Sequence, residues 1–257
     1  MVSQALQKVT SLRELLEGGT PLIAMSFGDQ DVEAEVRRAH ARGLDVAELR
    51  IDTYLYSDGD YVVDQVHRFA SLPTIATIRT EREGGHWTGS DSDRRDLFKR
   101  SIPEVDGIDI ELSSGSILPE VVAAAKANDK VVIISNHNFE ETPSADELSD
   151  MAHRAKELGA DYVKLTAKAS SREDLQRLAE FTVRHSDMGL IVIGMGGHGS
   201  ASRVFFPLLG SRLTYSRSSL QTVSGQLSFD ETFELLREFS PEFNEKKVIE
   251  LQILDGA

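Results

Sequence analysis

The sequence predicts an α/β fold, a closed (β/α)8 TIM barrel in which residues 1–257 form a single domain. Short apolar segments rich in β-branched residues alternate with amphipathic segments, and the alternation occurs eight times. The length of 257 residues also suits one such barrel, which typically needs about 250 residues. A doubly wound open sheet shares the alternation, but the number of repeats and the lack of a linker favour the barrel.

Each predicted strand is a short apolar run between two helical patterns. In chain order the predicted strands are Leu22–Phe27, Val46–Ile51, Thr74–Arg79, Ile108–Leu112, Val131–Ser135, Tyr162–Thr166, Leu190–Gly194 and Leu213–Tyr215. In the segments between them, apolar residues recur every three or four positions, as in amphipathic helices. Ser144 and Ser171 precede acidic residues and are predicted N-caps, while Gly43 and Gly159 are predicted to end helices.

Composition excludes several classes of protein. Lys and Arg total 28 against 42 Asp and Glu, a net charge of -14, so the surface repels nucleic acid and anionic membranes. There is no cysteine, which excludes disulfides, thiolate metal sites and a cysteine nucleophile. The sequence has no signal-peptide pattern and no apolar run of about 18 residues, so we expect a cytoplasmic protein without a membrane segment.

Charged residues occur at the carboxyl ends of strands two and three, where a barrel builds its active site. Strand two ends in ELRID, which places Glu48, Arg50 and Asp52 at alternate positions. Charges in so short a strand are costly unless they are paired or functional, so an ion network and a binding site both remain open. Strand three leads into TIRTEREGG, where Arg79 and Glu83 precede two glycines; a charged surface turn has the same composition.

Strands five and six carry the residues that indicate a reaction. KVVII leads directly into SNHNF, so His137 lies where a catalytic residue is expected, although a hydrogen-bonded structural histidine also fits. Lys164 lies inside YVKLT, and lysine is almost never buried in a strand for packing. Because desolvation lowers the pKa of a lysine, we expect Lys164 to be uncharged and able to form an imine with a carbonyl group. The alternative is a lysine whose amine reaches solvent at the barrel rim.

Loops rich in glycine and hydroxyl groups follow strands seven and eight. The glycine spacing of GMGGHGSASR matches a dinucleotide-binding pattern. That pattern also needs an acidic residue about 20 positions later to bind the ribose, and this chain has none there. A phosphate site is the alternative, and Arg203 in the next helix can bind a carboxylate. LQTVSGQ fits a lid or a plain surface loop. No metal site is predicted, since Asp109 and Glu111 have no matching histidine, and no Ser-hydrolase elbow occurs.

The ordered set ELRID, TIRTEREGG, SNHNF, YVKLT, GMGGHGSASRV and SGQ resembles the type I 3-dehydroquinate dehydratases, or 3-dehydroquinases, from Pro21 to Gln226. The resemblance implies a TIM-barrel lyase that converts 3-dehydroquinate into 3-dehydroshikimate by syn elimination of water. It also implies no cofactor and no metal, and a cytoplasmic homodimer whose partner is the small-molecule substrate. The chain departs from relatives at Ser224, where a proline is common, and at Tyr215, where phenylalanine is common.

The resemblance further implies a role for each matching residue. Lys164 would form the imine with the ketone of the substrate, His137 would act as general acid and base, and Glu83 would pair with that histidine. The substrate-binding residues that it implies are Glu48, Arg50, Arg79, Arg203, Thr222, Gln226 and Met195.

Two other functions remain open at this point. A Schiff-base aldolase on the same barrel would bind a sugar phosphate with the loop after strand seven and Arg203. A non-catalytic metabolite sensor would share the fold, but it would not need Glu83, His137 and Lys164 together. The dehydration is common to aromatic amino acid biosynthesis, in the shikimate pathway, and to quinate breakdown, and the sequence favours neither role.

Overall fold

The structure, a computed structural model, describes residues 11–30, 32–217 and 226–255. Within these residues eight parallel strands form one sheet in the order β7-β6-β5-β4-β3-β2-β1-β8. The strands are β1 Leu22–Phe27, β2 Val46–Arg50, β3 Thr74–Thr77, β4 Gly107–Glu111, β5 Val131–Asn138, β6 Tyr162–Lys168, β7 Leu190–Met195 and β8 Leu213–Ser216. The predicted (β/α)8 TIM barrel is confirmed.

Helices alternate with the strands along the chain. The helices described are α1 Leu12–Glu17, α2 Val32–Ala41, α3 Gly59–His67, α4 Asp91–Ser101, α5 Ile117–Ala127, α6 Ala145–Glu157, α7 Arg172–Arg184, α8 Gly196–Gly199, α9 Ser202–Leu208, α10 Phe229–Phe239 and α11 Pro241–Asp255. Ser144 and Ser171 form the predicted N-caps, each with a complete capping box. Among the residues described, no helix has both the length and the apolar character that crossing a bilayer requires.

Seven of the eight strands end at positions that differ from the prediction by one to three residues, and two of these differences bear on the polar residues at the strand ends. β2 ends at Arg50, and Ile51–Thr53 form a short 3-10 turn. β5 continues to Asn138, because its last residues pair with β6 and place His137 beside Thr166. The backbone of His137 is therefore held inside the sheet, which leaves its side chain less freedom than a loop would give.

The interior of the barrel is apolar at its N-terminal end and polar at its C-terminal end. Alternate residues of a strand face the same side. The inward residues nearest the N-terminal end, such as Val46 and Tyr162, form a buried cluster into which Leu12 and Leu16 of α1 pack. Two positions further along these strands, the inward residues are charged. Helix α1 therefore closes one end of the barrel, and a polar layer lies towards the other.

β7 and β8 meet without a strand ladder in the part of the chain that the structure describes. The segment just before β8 makes the connection instead. The backbone N–H of Arg212 donates to the carbonyl of Leu190 at 2.8 Å, and that of Val192 donates to Ser211 Oγ at 3.0 Å. These bonds join the two strands near their N-terminal ends.

A buried ion cluster holds α11 against the barrel. Asp45 Oδ1 accepts from Lys247 Nζ at 2.6 Å and from Lys246 Nζ at 3.2 Å, and Oδ2 accepts from the backbone N–H of Ile23 at 2.9 Å. Burial disfavours the charged carboxylate, but the two lysines and the backbone donor hold the pKa of Asp45 below its ordinary value. Lys247 is also buried and keeps Glu250 as a second partner at 2.7 Å.

We expect Asp45→Ala to lower the free energy of unfolding by about 3 kcal/mol, because it removes one carboxylate from a buried lysine. Urea denaturation followed by circular dichroism measures the change. Asp60→Ala is the matched control, since Asp60 forms an exposed ion pair with Arg100, and exposed pairs contribute little to stability. Equal losses in the two variants would contradict the assignment of a stabilising role to the buried cluster.

Candidate active site

A cavity of about 420 Å³ opens at the C-terminal ends of the strands. Its wall includes inward-facing side chains of β1, β2, β5, β6 and β8. Six residues that the sequence singled out line it: Glu48, Arg50, His137, Lys164, Arg203 and Gln226. This is the end of the barrel at which active sites are built.

Lys164 lies in the wall of this cavity and is paired with two carboxylates. Its side chain is 5% exposed, and Nζ donates to Asp109 Oδ2 at 2.9 Å and to Glu48 Oε1 at 3.1 Å. Nζ also lies 3.9 Å from the centre of the Tyr215 ring. Burial disfavours the ammonium, but Asp109 and Glu48 outweigh it and raise the pKa of Lys164 above its ordinary value.

The expectation that Lys164 is uncharged in the free protein is therefore wrong. Desolvation acts as expected, but attraction to carboxylates at hydrogen-bond distance is stronger. Arg79 does lower the pKa of Lys164, as a nearby positive charge should, but its effect is weaker than the attraction of Asp109 and Glu48. Arg50 and Arg79 are themselves paired with carboxylates. Arg50 binds Asp52 through two hydrogen bonds of 3.0 and 2.8 Å, and Arg79 donates to Asp109 at 2.7 Å.

Asp109 is the centre of the polar layer, a role that its position in the sequence did not indicate. Its Oδ1 accepts from Arg79 Nη2 at 2.7 Å and from Ser135 Oγ at 2.6 Å. Burial opposes its ionisation, but Arg79 and Lys164 hold the pKa of Asp109 far below its ordinary value. Among the described residues, no group of three His, Cys, Asp or Glu side chains could hold a metal ion. The signal for Asp109 was the charge inside the buried strand, as it was for Glu48.

His137 and Glu83 form the second functional pair. Glu83 Oε2 accepts from the backbone N–H of His137 at 2.9 Å and lies 3.1 Å from its Nδ1, while Oε1 accepts from the hydroxyl of Ser113. Burial lowers the pKa of His137 well below its ordinary value, and the nearby Arg79 and Lys164 lower it further. With the Nδ1 proton directed at Glu83, Nε2 of the neutral ring is free to accept a proton.

The two glycines of EREGG hold Glu83 in this position. A Cβ atom at Gly85 would lie 2.0 Å from the carbonyl oxygen of Arg79, so only glycine fits. Gly84 has a φ of 78°, in the left-handed region that glycine adopts without strain. The segment is a fixed turn at the edge of the cavity, which Gly84 helps to line, and the alternative of a plain surface turn does not describe it.

Arg203 and Gln226 are both anchored on the backbone carbonyl of Tyr215. Arg203 Nη1 donates to it at 3.1 Å and Gln226 Nε2 at 3.4 Å. Burial lowers the pKa of Arg203 to about 10, and no carboxylate pairs with its side chain in the described part of the chain. A buried guanidinium without a counter-ion is suited to bind the carboxylate of a ligand.

Three of the described residues that the resemblance implied do not line the cavity. Arg79 lies behind Asp109, and Glu83 lies behind His137. Met195 ends β7 and is not among the residues that line the cavity. Thr222 lies outside the described residues.

Two polar residues of the cavity wall, Thr166 and Tyr215, were given no role from the sequence. Thr166 Oγ1 and Tyr215 OH are buried and have no hydrogen-bond partner among the described residues, and the same holds for Arg203 Nε. Buried polar groups are rarely left unpaired, so three of them at one cavity indicate a polar ligand. Thr166 was predictable, because it lies two positions after Lys164 and therefore on the same face of the strand.

The glycine-rich loop after β7 is explained by close packing. A Cβ atom at Gly199 would lie 2.4 Å from the carbonyl carbon of Gly194. Ser202 Oγ accepts from the N–H of Gly194 at 2.8 Å and so ties the start of α9 to the end of β7. The glycine spacing therefore does not require a bound dinucleotide or phosphate.

Known proteins are similar to this chain in sequence over most of its length. The family model described as type I 3-dehydroquinase matches residues 25–241. The chain is 35% identical to the 3-dehydroquinate dehydratase of Methanocella arvoryzae, over 84% of this chain and 96% of that protein. It is 33% identical to the 3-dehydroquinate dehydratase of Aquifex aeolicus, over 85% of this chain and 98% of that protein.

Solved structures share the fold. The crystal structure of a type I 3-dehydroquinate dehydratase from Clostridium difficile with covalently modified comenic acid matches with a TM-score of 0.81 and 29% identity, over 86% of this chain and 93% of that one. The crystal structure of the 3-dehydroquinate dehydratase from Aquifex aeolicus matches with a TM-score of 0.78 and 32% identity, over 85% and 99% of the two chains.

Asp109→Asn should lower the pKa of the Lys164 ammonium in the free protein, because it removes a negative charge that raises that pKa. Lys164 should then be acylated faster by a small reagent at any pH below its pKa. The measurement is the rate of Lys164 modification against pH, followed by peptide mass spectrometry. Glu120→Gln, which removes an exposed partner of Lys99, should leave this profile unchanged. Identical profiles in the two variants would contradict the pairing.

Proposed function

The chain belongs to the type I 3-dehydroquinase family, and we propose that it dehydrates 3-dehydroquinate through an imine on Lys164. The reaction is that of a hydro-lyase, 3-dehydroquinate dehydratase. The observation that carries the proposal is the buried Lys164 amine, held at 2.9 Å from Asp109 and at 3.1 Å from Glu48. Neither the aldolase nor the sensor interpretation gains support from the relatives.

The protonated resting state of Lys164 suits the formation of an imine. An ammonium and a ketone together give a protonated imine and one water, so the nitrogen carries one positive charge before and after the reaction. Two of its three protons leave with the ketone oxygen as water. The amine must be neutral while it attacks, and Asp109 and Glu48 lie close enough to hold its proton for that step. They then stabilise the charge of the imine.

His137 carries the protons of the elimination. As a neutral imidazole it removes the C2 proton, and the electron pair of the C2–H bond moves towards the imine nitrogen to give an enamine. The enamine then expels the C1 hydroxyl, which takes the proton back from His137 and leaves as water. Hydrolysis of the conjugated imine releases 3-dehydroshikimate and restores the Lys164 ammonium. One histidine serves both transfers, which gives syn elimination, and Glu83 stabilises its charged form.

The remaining residues hold the substrate. Arg203 is suited to the carboxylate, since it is buried and has no carboxylate partner among the described residues. Glu48, Arg50 and Gln226 line the same cavity and offer polar groups to the ring hydroxyls. Arg79 orders the site through Asp109. Met195 at the end of β7 and Thr222, which lies outside the described residues, remain proposed contacts.

We also propose that residues 1–257 form one catalytic domain and that the protein acts in the cytoplasm as a homodimer, without a cofactor. The absence of cysteine and the net charge of -14 support a reducing, aqueous compartment. Phe205 of α9 and Phe239 of α10 are 51% and 59% exposed. Large exposed aromatic side chains of this kind are suited to an interface with a second copy.

Borohydride added together with 3-dehydroquinate should fix the substrate on Lys164, because reduction converts the imine into a stable amine. Peptide mass spectrometry of the protein locates the added mass. Lys168→Met is the matched control, since Lys168 is exposed at the end of the same strand, and this variant should keep the adduct. An adduct on a different lysine, or no adduct on the unchanged protein, would refute the imine on Lys164.

His137→Ala should lower turnover by about two to four orders of magnitude while the borohydride adduct still forms. The imine needs Lys164, whereas the elimination needs a group that moves the C2 proton. Absorbance of the enone product measures turnover. His153→Ala, which changes an exposed histidine of α6, should retain normal turnover. A folded His137→Ala variant with near-normal turnover would remove His137 from the mechanism.

A further inference from the structure

The side chain of Tyr215 lies against the nitrogen that would form the imine. The centre of its ring is 3.9 Å from Lys164 Nζ. Tyr215 is 4% exposed, and its buried hydroxyl has no hydrogen bond of regular geometry among the described residues, although it lies near enough to Lys164 to interact with it. Its ring belongs to the wall of the cavity, and its carbonyl anchors Arg203 and Gln226. The residue therefore contacts the reacting atom, whereas the sequence analysis treated it as a minor change.

The ring contact gains importance when the imine forms. The ammonium of Lys164 has three N–H donors, of which Asp109 and Glu48 accept two. A protonated imine keeps one N–H, so at least one of these hydrogen bonds is lost while the positive charge remains. Attraction between a cation and the face of an aromatic ring depends on the charge and needs no N–H donor. The Tyr215 ring can thus stabilise the nitrogen in both states.

The hydroxyl of Tyr215 has a separate use. A buried hydroxyl without a partner is unfavourable until a ligand supplies one. When Lys164 attacks the ketone, the ketone oxygen comes next to Nζ and hence close to the ring that contacts Nζ. Negative charge develops on this oxygen as the carbon–oxygen π pair moves onto it, and an O–H donor stabilises such charge.

We propose that Tyr215 is a further catalytic residue, whose ring stabilises the positive nitrogen of Lys164 and whose hydroxyl donates a hydrogen bond to the ketone oxygen during attack. The inference rests on the proposed imine and deepens it. It assigns separate roles to two parts of one side chain. Each part can therefore be removed independently.

Tyr215→Phe removes the hydroxyl and keeps the ring. It should slow the formation of the imine by about tenfold, which corresponds to the loss of one hydrogen bond to a charged group. The alkaline limb of its kcat profile should stay in place. Rapid quenching with borohydride, followed by mass spectrometry, measures the rate of imine formation separately from enone appearance.

Tyr215→Leu removes the ring as well. It should lower kcat by about 30-fold, the factor that a desolvated cation–π contact provides. Because the protonated imine is then less stable, the alkaline limb of kcat should move to lower pH. The other charged and titratable groups that face this nitrogen are Glu48, Arg50, Arg79, Asp109, His137 and Arg203. They are the same in every variant, so a difference in the profile is assigned to position 215.

Titration of Lys164 in the free protein separates this proposal from the proposed function. Tyr215→Leu should lower the pKa of the Lys164 ammonium, measured by its acylation rate against pH without any substrate. Tyr162→Phe is the control, since Tyr162 lies at the other end of the same barrel interior, and it should match the unchanged protein in every assay. If Tyr215→Leu lowers the pKa of Lys164 but the unchanged protein forms no borohydride adduct, the imine is refuted and the ring contact is retained.

Ring-fluorinated phenylalanines at position 215 provide the test if Tyr215→Leu does not fold. Fluorine weakens the negative face of the ring with little change in size. Stepwise fluorination of the Tyr215→Phe variant should lower kcat and move the alkaline limb stepwise to lower pH. The proposal is overturned if Tyr215→Leu, or the fluorinated series, keeps the kcat and the Lys164 titration of Tyr215→Phe.

Discussion

The attraction between the Lys164 ammonium and the carboxylates of Asp109 and Glu48 is the interaction on which the rest of the site depends. A charge this deeply buried is tolerated only when it is paired, and each partner must be satisfied in turn. Asp109 is held by Arg79 and Ser135, and Glu48 by hydroxyl groups of neighbouring strands. The nitrogen of Lys164 carries one positive charge both as an ammonium and as a protonated imine. The surrounding carboxylates and hydroxyl groups therefore need little rearrangement during the reaction.

The pairing continues away from the cavity as a chain of alternating charges. Arg79 lies 3.6 Å from Glu111, and Glu111 is bound by the guanidinium of Arg94, which is fully buried and also donates to the carbonyl of Ile78 at 2.7 Å. Alternation of sign allows many charges inside the barrel without a large excess of either sign. Burial lowers the pKa of His137, and the positive charges of Arg79 and Lys164 in this chain lower it further.

The fold and the main catalytic residues can both be predicted from the sequence, because both depend on local patterns within and at the ends of strands. A period of two residues within strands and the position of strand ends are local properties, so Lys164 and His137 could be assigned to the barrel mouth from sequence alone. The charge of Lys164 could not be predicted, because its partner Asp109 is 55 residues away and faces it only when the barrel is formed. Tyr215 reads as an ordinary core aromatic residue, and only its distance to Nζ distinguishes it. The end of β5 was misplaced because polar residues in a strand resemble a loop.

The junction between β7 and β8 has a consequence for how the cavity accommodates a ligand. Arg203 and Gln226 lie in the segments that follow these two strands, which are joined by hydrogen bonds near their N-terminal ends. Near their C-terminal ends the hydrogen bond from Arg203 to the carbonyl of Tyr215 joins the two sides, so a small separation there would cost this bond but no strand ladder. His137 and Lys164, by contrast, lie on strands with ladders on both sides. The residues proposed to bind the carboxylate and those proposed to move the proton thus lie on parts of the barrel that differ in their backbone hydrogen bonding. The side of the barrel that is proposed to bind the carboxylate has fewer backbone hydrogen bonds to oppose a change of shape, whereas complete ladders hold the proposed acid–base residues on both sides.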